Sequence, residues 1–384
     1  MSTFALLPSR VLTLAGFESD RCVVVDSARI IGIMPSNQCP KDVVTRELTG
    51  DLLPGFIDLQ VNGGGGVLFN DHPTVEGIAA IAAAHRRFGT TGFLPTLISD
   101  DLDVVAQAIG AVDAAIAGGV PGVLGIHIEG PFLNPAKKGI HDASRFRTLN
   151  EEAIDLLASL RFGRMIVTLA PELAPPGSIR ALVDRGVIVC AGHTAASYRE
   201  IQAGLAEGLC GFTHLFNAMT QLGSREPGVV GAALEAGGTW CGLIVDGHHV
   251  HPASLRIALA DIGAERLALV SDAMPTVGWD RKTFQLGEMP ITATDGYCIA
   301  PDGTLAGSNL NMAQAVRNAR EMMGVDDVTA IRMATAVPAS AIGLSGDIGL
   351  IAPGLRADFV LVDSDMKVIE SWVGGERTGP AAMG

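Results

Sequence analysis

Val187-Ile-Val-Cys-Ala-Gly-His193-Thr194 is followed by a helix-like stretch, Ser197–Ala206, and then by Gly211-Phe-Thr-His214-Leu-Phe-Asn-Ala-Met219. A short apolar run ends on a histidine, a helix carries the chain back, and a second apolar run ends on another histidine. This is one β/α unit with an imidazole at each strand end. The two histidines are 21 residues apart. In a closed parallel barrel that spacing makes them neighbours on the rim that carries chemistry.

Working outward, the same alternation extends in both directions. Strands are expected at Gly55–Val61, Gly92–Pro95, Val123–Ile128, Met165–Leu169, Val187–Ala191, Gly211–Leu215, Cys241–Val245 and Leu267–Val270. Helix-like stretches rich in Ala, Leu and Glu separate them, among them Thr74–Phe88, Asp101–Ala117 and Pro252–Asp261. Eight strands alternating with helices point to an α/β fold, a (β/α)8 TIM barrel, with a doubly wound open sheet as the alternative. Both ends differ from the middle. Val11–Leu14, Cys22–Val25 and Arg29–Ile33, and near the C-terminus Ala357–Val362 and Val368–Val373, are β-branched runs between turn residues. The expected organisation is therefore a β domain built from 1–52 and 348–384 around a barrel spanning 53–347. A hairpin insertion is expected near 281–304, where Asp302-Gly303 is a turn signal. A helical tail follows at Asn311–Met323 and Val328–Thr335, with Ser308 or Asn309 as its expected N-cap.

Composition narrows the function. The chain has 384 residues, 27 Lys+Arg against 41 Asp+Glu, a net charge of −14 and 48% hydrophobic residues. It can bury a large core, and its acidity argues against nucleic acid as partner. The segment Met1–Ser9 has no Lys or Arg and contains Pro8, so it does not read as a signal peptide. Six scattered cysteines form no C-x-x-C pair and read as buried thiols in a reducing compartment. No membrane-length apolar run occurs, and the expected location is the cytoplasm.

Six of the eight strand ends carry polar residues of metal-ligand or catalytic type: Asp58-Leu-Gln60-Val-Asn62, His127-Ile-Glu129, His193, His214, Asp246-Gly-His248-His249 and Ser271-Asp272. Glu129, His193 and His214 form the best metal set, because one carboxylate and two imidazoles leave positions open for water and substrate. Each could singly be an ordinary rim residue. Asp272 could cap a following helix, but no helix pattern starts there, so a catalytic base is the preferred reading. Gly63–Gly66 reads either as a loop under close approach or as a surface turn. Lys137, Lys138, His141, Arg225, His248 and His249 follow strand ends, and in so acidic a chain that grouping points to an anionic substrate group.

Pro54-Gly-Phe-Ile-Asp58, His127-Ile-Glu-Gly-Pro-Phe132, Lys138-Gly-Ile-His141, Gly192-His-Thr194, Thr213-His-Leu-Phe-Asn-Ala-Met219, Asp246-Gly-His-His249, Ser271-Asp-Ala273 and Gly307-Ser-Asn-Leu310 stand in this order. Together they resemble the N-acetylglucosamine-6-phosphate deacetylase branch of the amidohydrolase superfamily, over nearly the whole chain. The resemblance implies a metal-dependent barrel with a small β-sandwich from both termini. It implies hydrolysis of the acetamide of an N-acetylated sugar phosphate. It also implies metal ligation by Glu129, His193 and His214, acid/base work by Asp272, and carbonyl polarisation by His141. Substrate contacts fall on His141, Asn217, Ala218, Arg225 and His249, with Met312 lining the pocket. Arg225 is implied to reach across a homodimer interface.

Many superfamily members carry His-x-His at the end of strand one and hold a second metal, whereas this chain has Gln60-Val-Asn62. Amides are poor ligands beside imidazole. Thr168-Leu-Ala-Pro-Glu172 offers no bridging lysine. One divalent metal is therefore expected, zinc first and iron, cobalt or manganese otherwise. Gln60 and Asn62 would be a second-site remnant that orients solvent or backbone. A galactosamine-epimer deacetylase, a cyclic-amide hydrolase and a non-catalytic barrel remain as alternatives.

Overall fold

A computed structural model describes residues 3–378. Eight parallel strands form the barrel: β1 (Phe56–Val61), β2 (Thr90–Ile98), β3 (Gly125–Glu129), β4 (Arg164–Leu169), β5 (Ile188–Ala191), β6 (Gly211–Phe212), β7 (Trp240–Leu243) and β8 (Leu267–Leu269). They pair in chain order from β1 to β8. The ring is completed just beyond β8, where Asp272 N–H donates to Gln60 O at 3.0 Å and Asn62 N–H to Ala273 O at 2.9 Å. Every residue of β1, β2 and β3 is buried. Side chains inside the barrel and side chains under the helices are both withdrawn from water, and this is why the strands read as unbroken apolar runs.

The return helices begin where local chemistry starts them. Thr74 caps Val75–Arg86, accepting from Gly77 N–H. Ser197 and Glu200 form a capping box for Tyr198–Glu207. Pro252 opens Pro252–Ile262. No helix among the described residues is long and apolar enough to cross a membrane.

The two ends of the chain share one eight-stranded sheet. Val44–Pro54 lies between Phe4–Thr13, which runs parallel to it, and Phe359–Val362, which runs antiparallel. Val44–Pro54 continues almost directly into β1, so the sheet is continuous in sequence with the barrel.

Three features depart from the sequence expectations. The insertion holds a four-stranded antiparallel meander, Thr283–Leu286, Met289–Thr294, Tyr297–Ile299 and Leu305–Ser308. Where a single hairpin was expected, Thr283–Leu286 and Tyr297–Ile299 both pair with Met289–Thr294. The tail helix is capped by Asn311, which accepts from Gln314 N–H, and not by Ser308 or Asn309. Ser308 is occupied elsewhere: its hydroxyl donates to Ser271 O and accepts from Leu310 N–H. That helix, Met312–Asn318, then widens into a π turn at Ala319–Met323.

Candidate active site

The C-terminal rim of the barrel is where the backbone is most constrained. Of the nine non-glycine residues with positive φ among the described residues, five are His193 (48°), His214 (32°), Phe216 (79°), Ala218 (49°) and Asp272 (52°). Left-handed backbone disfavours side chains, and such residues gather where geometry matters more than stability. Four of the five, His193, His214, Ala218 and Asp272, line the cavity at the barrel mouth. Strand β6 ends at Phe212, three residues short of the expected strand.

Glu129, His193 and His214 converge, all buried. Glu129 Oε1 is 2.9 Å from His214 Nε2 and 3.2 Å from His193 Nε2, and the two imidazole nitrogens are 3.0 Å apart. Tetrahedral metal sites with bonds of about 2.0–2.1 Å space neighbouring ligands by about 3.3 Å, so the triangle has the right size. Its donor chemistry fits as well. His193 Nδ1 lies 2.8 Å from Lys137 O, and a carbonyl only accepts. Nδ1 therefore carries the proton, and Nε2 presents a bare lone pair toward a carboxylate oxygen. Two acceptors facing each other in a buried site call for a cation between them. Burial alone would raise the Glu129 carboxyl, but the adjacent imidazoles of His193 and His214 outweigh it and hold the group well below the usual carboxylate range.

The amide nitrogens of Gln60 and Asn62, expected from sequence to orient solvent or backbone, are turned onto the two carboxylates. Gln60 Nε2 donates to Glu129 Oε2 (3.0 Å) and Asp272 Oδ1 (3.2 Å), and Asn62 Nδ2 donates to Asp272 Oδ1 (2.6 Å). An amide N–H is a donor where an imidazole lone pair would be a ligand, so these side chains favour carboxylates over a second cation. Burial and the nearby charge of Glu129 push Asp272 up to about 6. No helix begins after Asp272, so it caps nothing.

The sequence places Asp58 in the polar end of the first barrel strand and assigns it no role of its own. It is fully buried beneath the rim and accepts from the backbone N–H groups of Gln60 and Ser271 and from the Ser271 hydroxyl. Burial pushes it up to about 7 against those hydrogen bonds. Its strand position, one turn of the pleat before Gln60, was the available signal.

A cavity of about 390 Å³ opens above these groups. Its lining includes Asn62, Glu129, His141, His193, His214, Asn217, Ala218, His249 and Asp272. Thr304, Leu305 and Gly307 of the meander close one side. Thr304 and Leu305 carry no catalytic side chain, so nothing in the sequence marks them as part of the site. His141 Nδ1 is 3.3 Å from Ser99 N and 2.8 Å from Ser99 Oγ. The backbone N–H can only donate, so Nδ1 is bare and the neutral ring carries its proton on Nε2. Burial and the neighbouring His193 hold His141 well below the usual imidazole range. His249 Nδ1 contacts Asp246 Oδ2 at 2.6 Å.

Four expected residues lie elsewhere. Arg225 sits on an exposed segment outside its own chain's cavity. Met312 is fully buried in the apolar core, because it is the first residue of a helix that packs its inner face on the barrel. His248 stacks on Tyr297 at 4.2 Å between ring centroids. Lys138 borders an adjacent cavity. The glycine loop is a site of close approach: a Cβ on Gly63 would stand 2.4 Å from Val67 O and 2.9 Å from Pro275 N.

Comparison with known proteins adds independent findings. The Amidohydrolase family profile matches residues 52–382. The chain is 41% identical over 371 residues to N-acetylgalactosamine-6-phosphate deacetylase of Shewanella sp. (strain ANA-3), covering 96% of this chain and 94% of that one. It is 32% identical over 377 residues to N-acetylglucosamine-6-phosphate deacetylase of Haemophilus influenzae, covering 97% and 98%. Among solved structures, N-acetylglucosamine-6-phosphate deacetylase from Pasteurella multocida superposes with a TM-score of 0.94 at 31% identity, covering 98% of this chain and 100% of that one.

Proposed function

This chain belongs to the amidohydrolase family, and from that premise we propose that it hydrolyses the acetamide of N-acetyl-D-glucosamine 6-phosphate to D-glucosamine 6-phosphate and acetate. The observation that carries the proposal is the meeting of Glu129, His193, His214, His141 and Asp272 around one cavity. A non-catalytic barrel would have no need to bury so many ionisable groups together.

A divalent cation held by Glu129, His193 and His214 supplies Lewis acidity toward water and the acetyl oxygen. Zinc suits two imidazoles and a carboxylate, and iron, cobalt and manganese use the same donors. The remaining steps belong to the chain. Asp272 Oδ1 is occupied by the two amides, so Oδ2 takes the proton of the attacking water and returns it to the departing nitrogen. His141 donates Nε2–H to the acetyl oxygen as negative charge develops on it. His249, Asn217 and the backbone at Ala218 hold the sugar phosphate, fixing the acetamide over the base. Arg225 serves the cavity of a second subunit in a homodimer. One metal is used per subunit, with Gln60 and Asn62 standing where a second would require imidazoles. We divide the described residues into a terminal β domain, 3–52 with 348–378, and a catalytic barrel, 53–347; positions 1–2 and 379–384 of the expected terminal domain lie outside the described residues. Such chemistry suits the cytoplasm, where sugar phosphates are retained.

A second reading has its own support. The 41% identical relative acts, by its name, on the galactosamine epimer, and the same machinery would serve either sugar. The test is acetate release from both 6-phosphates and from unphosphorylated N-acetylglucosamine, with metal analysis of the same sample. The proposal requires release from the glucosamine form that depends on phosphate and metal. Release from the galactosamine form alone would transfer the assignment to the second reading.

A further inference from the structure

His249 is held at one remove by a chain of hydrogen bonds that crosses the barrel wall. Asp246 Oδ1 accepts the backbone N–H groups of His248 and His249, both at 2.8 Å, while Oδ2 accepts from His249 Nδ1. The residue before it, Val245, accepts at its carbonyl from Asn318 Nδ2 at 2.7 Å. Asn318 Oδ1 accepts from Gln314 Nε2 at 2.6 Å, and Gln314 Oε1 accepts from Arg317 Nη2 at 2.6 Å. Arg317 Nη1 donates to Met366 O, in the turn between two strands of the terminal sheet.

The direction of this chain is forced. A guanidinium only donates and a backbone carbonyl only accepts, so neither carboxamide can flip without placing donor on donor or acceptor on acceptor. Asn318 is itself buried, and an unmatched amide there would be costly. Packing acts on the same loop. A Cβ on Gly247 would stand 3.1 Å from Met322 Cε, and Met322 lies in the π turn that begins one residue after Asn318. Widened helical turns recur where a helix must serve a functional site.

We propose that Asn318 is a positioning residue for His249, fixing the Val245–His249 loop so that the imidazole meets the sugar phosphate in one orientation. The inference rests on the reading of His249 as a substrate contact. Its loss should therefore raise KM for phosphorylated substrate while kcat, set by Asp272 and the metal ligands, changes little.

The test uses zinc-loaded full-length protein and Asn318→Asp, which keeps the shape but sets an oxygen against Val245 O. Expected is a rise in KM for N-acetylglucosamine 6-phosphate of about tenfold with kcat within about twofold. The side-chain nitrogen signals of His249, followed by NMR with labelled histidine, should also shift. Gln314→Leu leaves Asn318 in place but frees its amide to rotate, and should move KM in the same direction by less. If Asn318→Asp does not fold, Gln314→Leu decides, and an unchanged KM there overturns the proposal. A lowered melting temperature with unchanged KM and unchanged His249 signals also overturns it, since that is what a purely structural asparagine would do. If wild type releases no acetate from the phosphosugar yet Asn318→Asp still shifts the His249 signals, the proposed activity fails while the positioning role stands.

Discussion

Asn62 Nδ2 lies 2.6 Å from Asp272 Oδ1 across the seam where the first and last barrel strands meet. The bond joins residues 210 positions apart in sequence. It stabilises the ionised carboxylate, which burial and Glu129 oppose.

Removing that donor has a defined sign. Asp272 is pushed up to about 6 with Asn62 in place, and Asn62→Ala takes away a bond that favours the charged form, so the value rises further. As a base, Asp272 works only when ionised. The acidic limb of kcat/KM should move to higher pH, by about one unit. A pH–rate profile from about pH 4.5 to about 8 reads it, and an unmoved limb would show that Asp272 does not set it.

The metal triangle predicts a separable loss. Glu129→Gln replaces an anionic ligand with a neutral amide whose N–H groups face imidazole lone pairs. Bound metal should fall to a small fraction of wild type, and activity should fall with it. Chelation of wild type should lower its melting temperature, because His193 Nε2 then faces Glu129 Oε1 at 3.2 Å with no cation between them. Full metal content in the variant would remove Glu129 from the ligand set.

Asp58 predicts a pH-dependent stability. Its folded value of about 7 lies above the unfolded value of about 3.9. The folded protein therefore keeps a proton that the unfolded chain has lost. The stability from this site is full below about pH 4 and is lost as pH rises through about 7, a span on the order of 4 kcal/mol. Asp58→Asn keeps an oxygen for the backbone N–H groups of Gln60 and Ser271 and cannot ionise. Denaturant unfolding at about pH 5 and about pH 8 should find the variant gaining on wild type at the higher pH. An equal difference at both would mean that Asp58 ionises normally.

Subunit mixing tests the placement of Arg225. Asp272→Asn should retain metal and substrate binding but lose on the order of 10²–10⁴ in turnover. Arg225→Ala should weaken binding of phosphorylated substrate. If Arg225 serves the neighbouring subunit, mixing the two variants, assayed at substrate low enough that neither is appreciably active alone, forms hybrids with one intact site. Activity should then recover to about a quarter of wild type. No recovery, in a sample where exchange between subunits is verified, would return Arg225 to a role within its own chain.

The residues that failed expectation failed for related reasons. Met312 sits beside rim motifs in sequence, yet it opens a helix capped by Asn311 that turns it into the core. The meander was half visible, because Met289-Pro-Ile-Thr-Ala-Thr294 contains a proline in a run that is otherwise strand-like. Thr304 and Leu305 reach the cavity only because that meander folds over the barrel mouth. Asp58 gained significance from Ser271, a partner 213 residues away.

The amino-acid sequence alone determined the alternation of strand and helix, the eight strand ends and the polar groups placed on them. Those are local properties: parallel strands buried on both faces must be continuously apolar, and an ionisable residue at the end of such a run is conspicuous. Tertiary structure alone decided what each polar group does with its neighbours. It turned Gln60 and Asn62 onto two carboxylates, fixed the protonated nitrogen of His141 and His193 through Ser99 and Lys137, and left Arg225 outside its own cavity. Hydrogen-bond direction depends on which donor meets which acceptor, and that is settled only when the barrel closes and brings residues from opposite ends of the chain together.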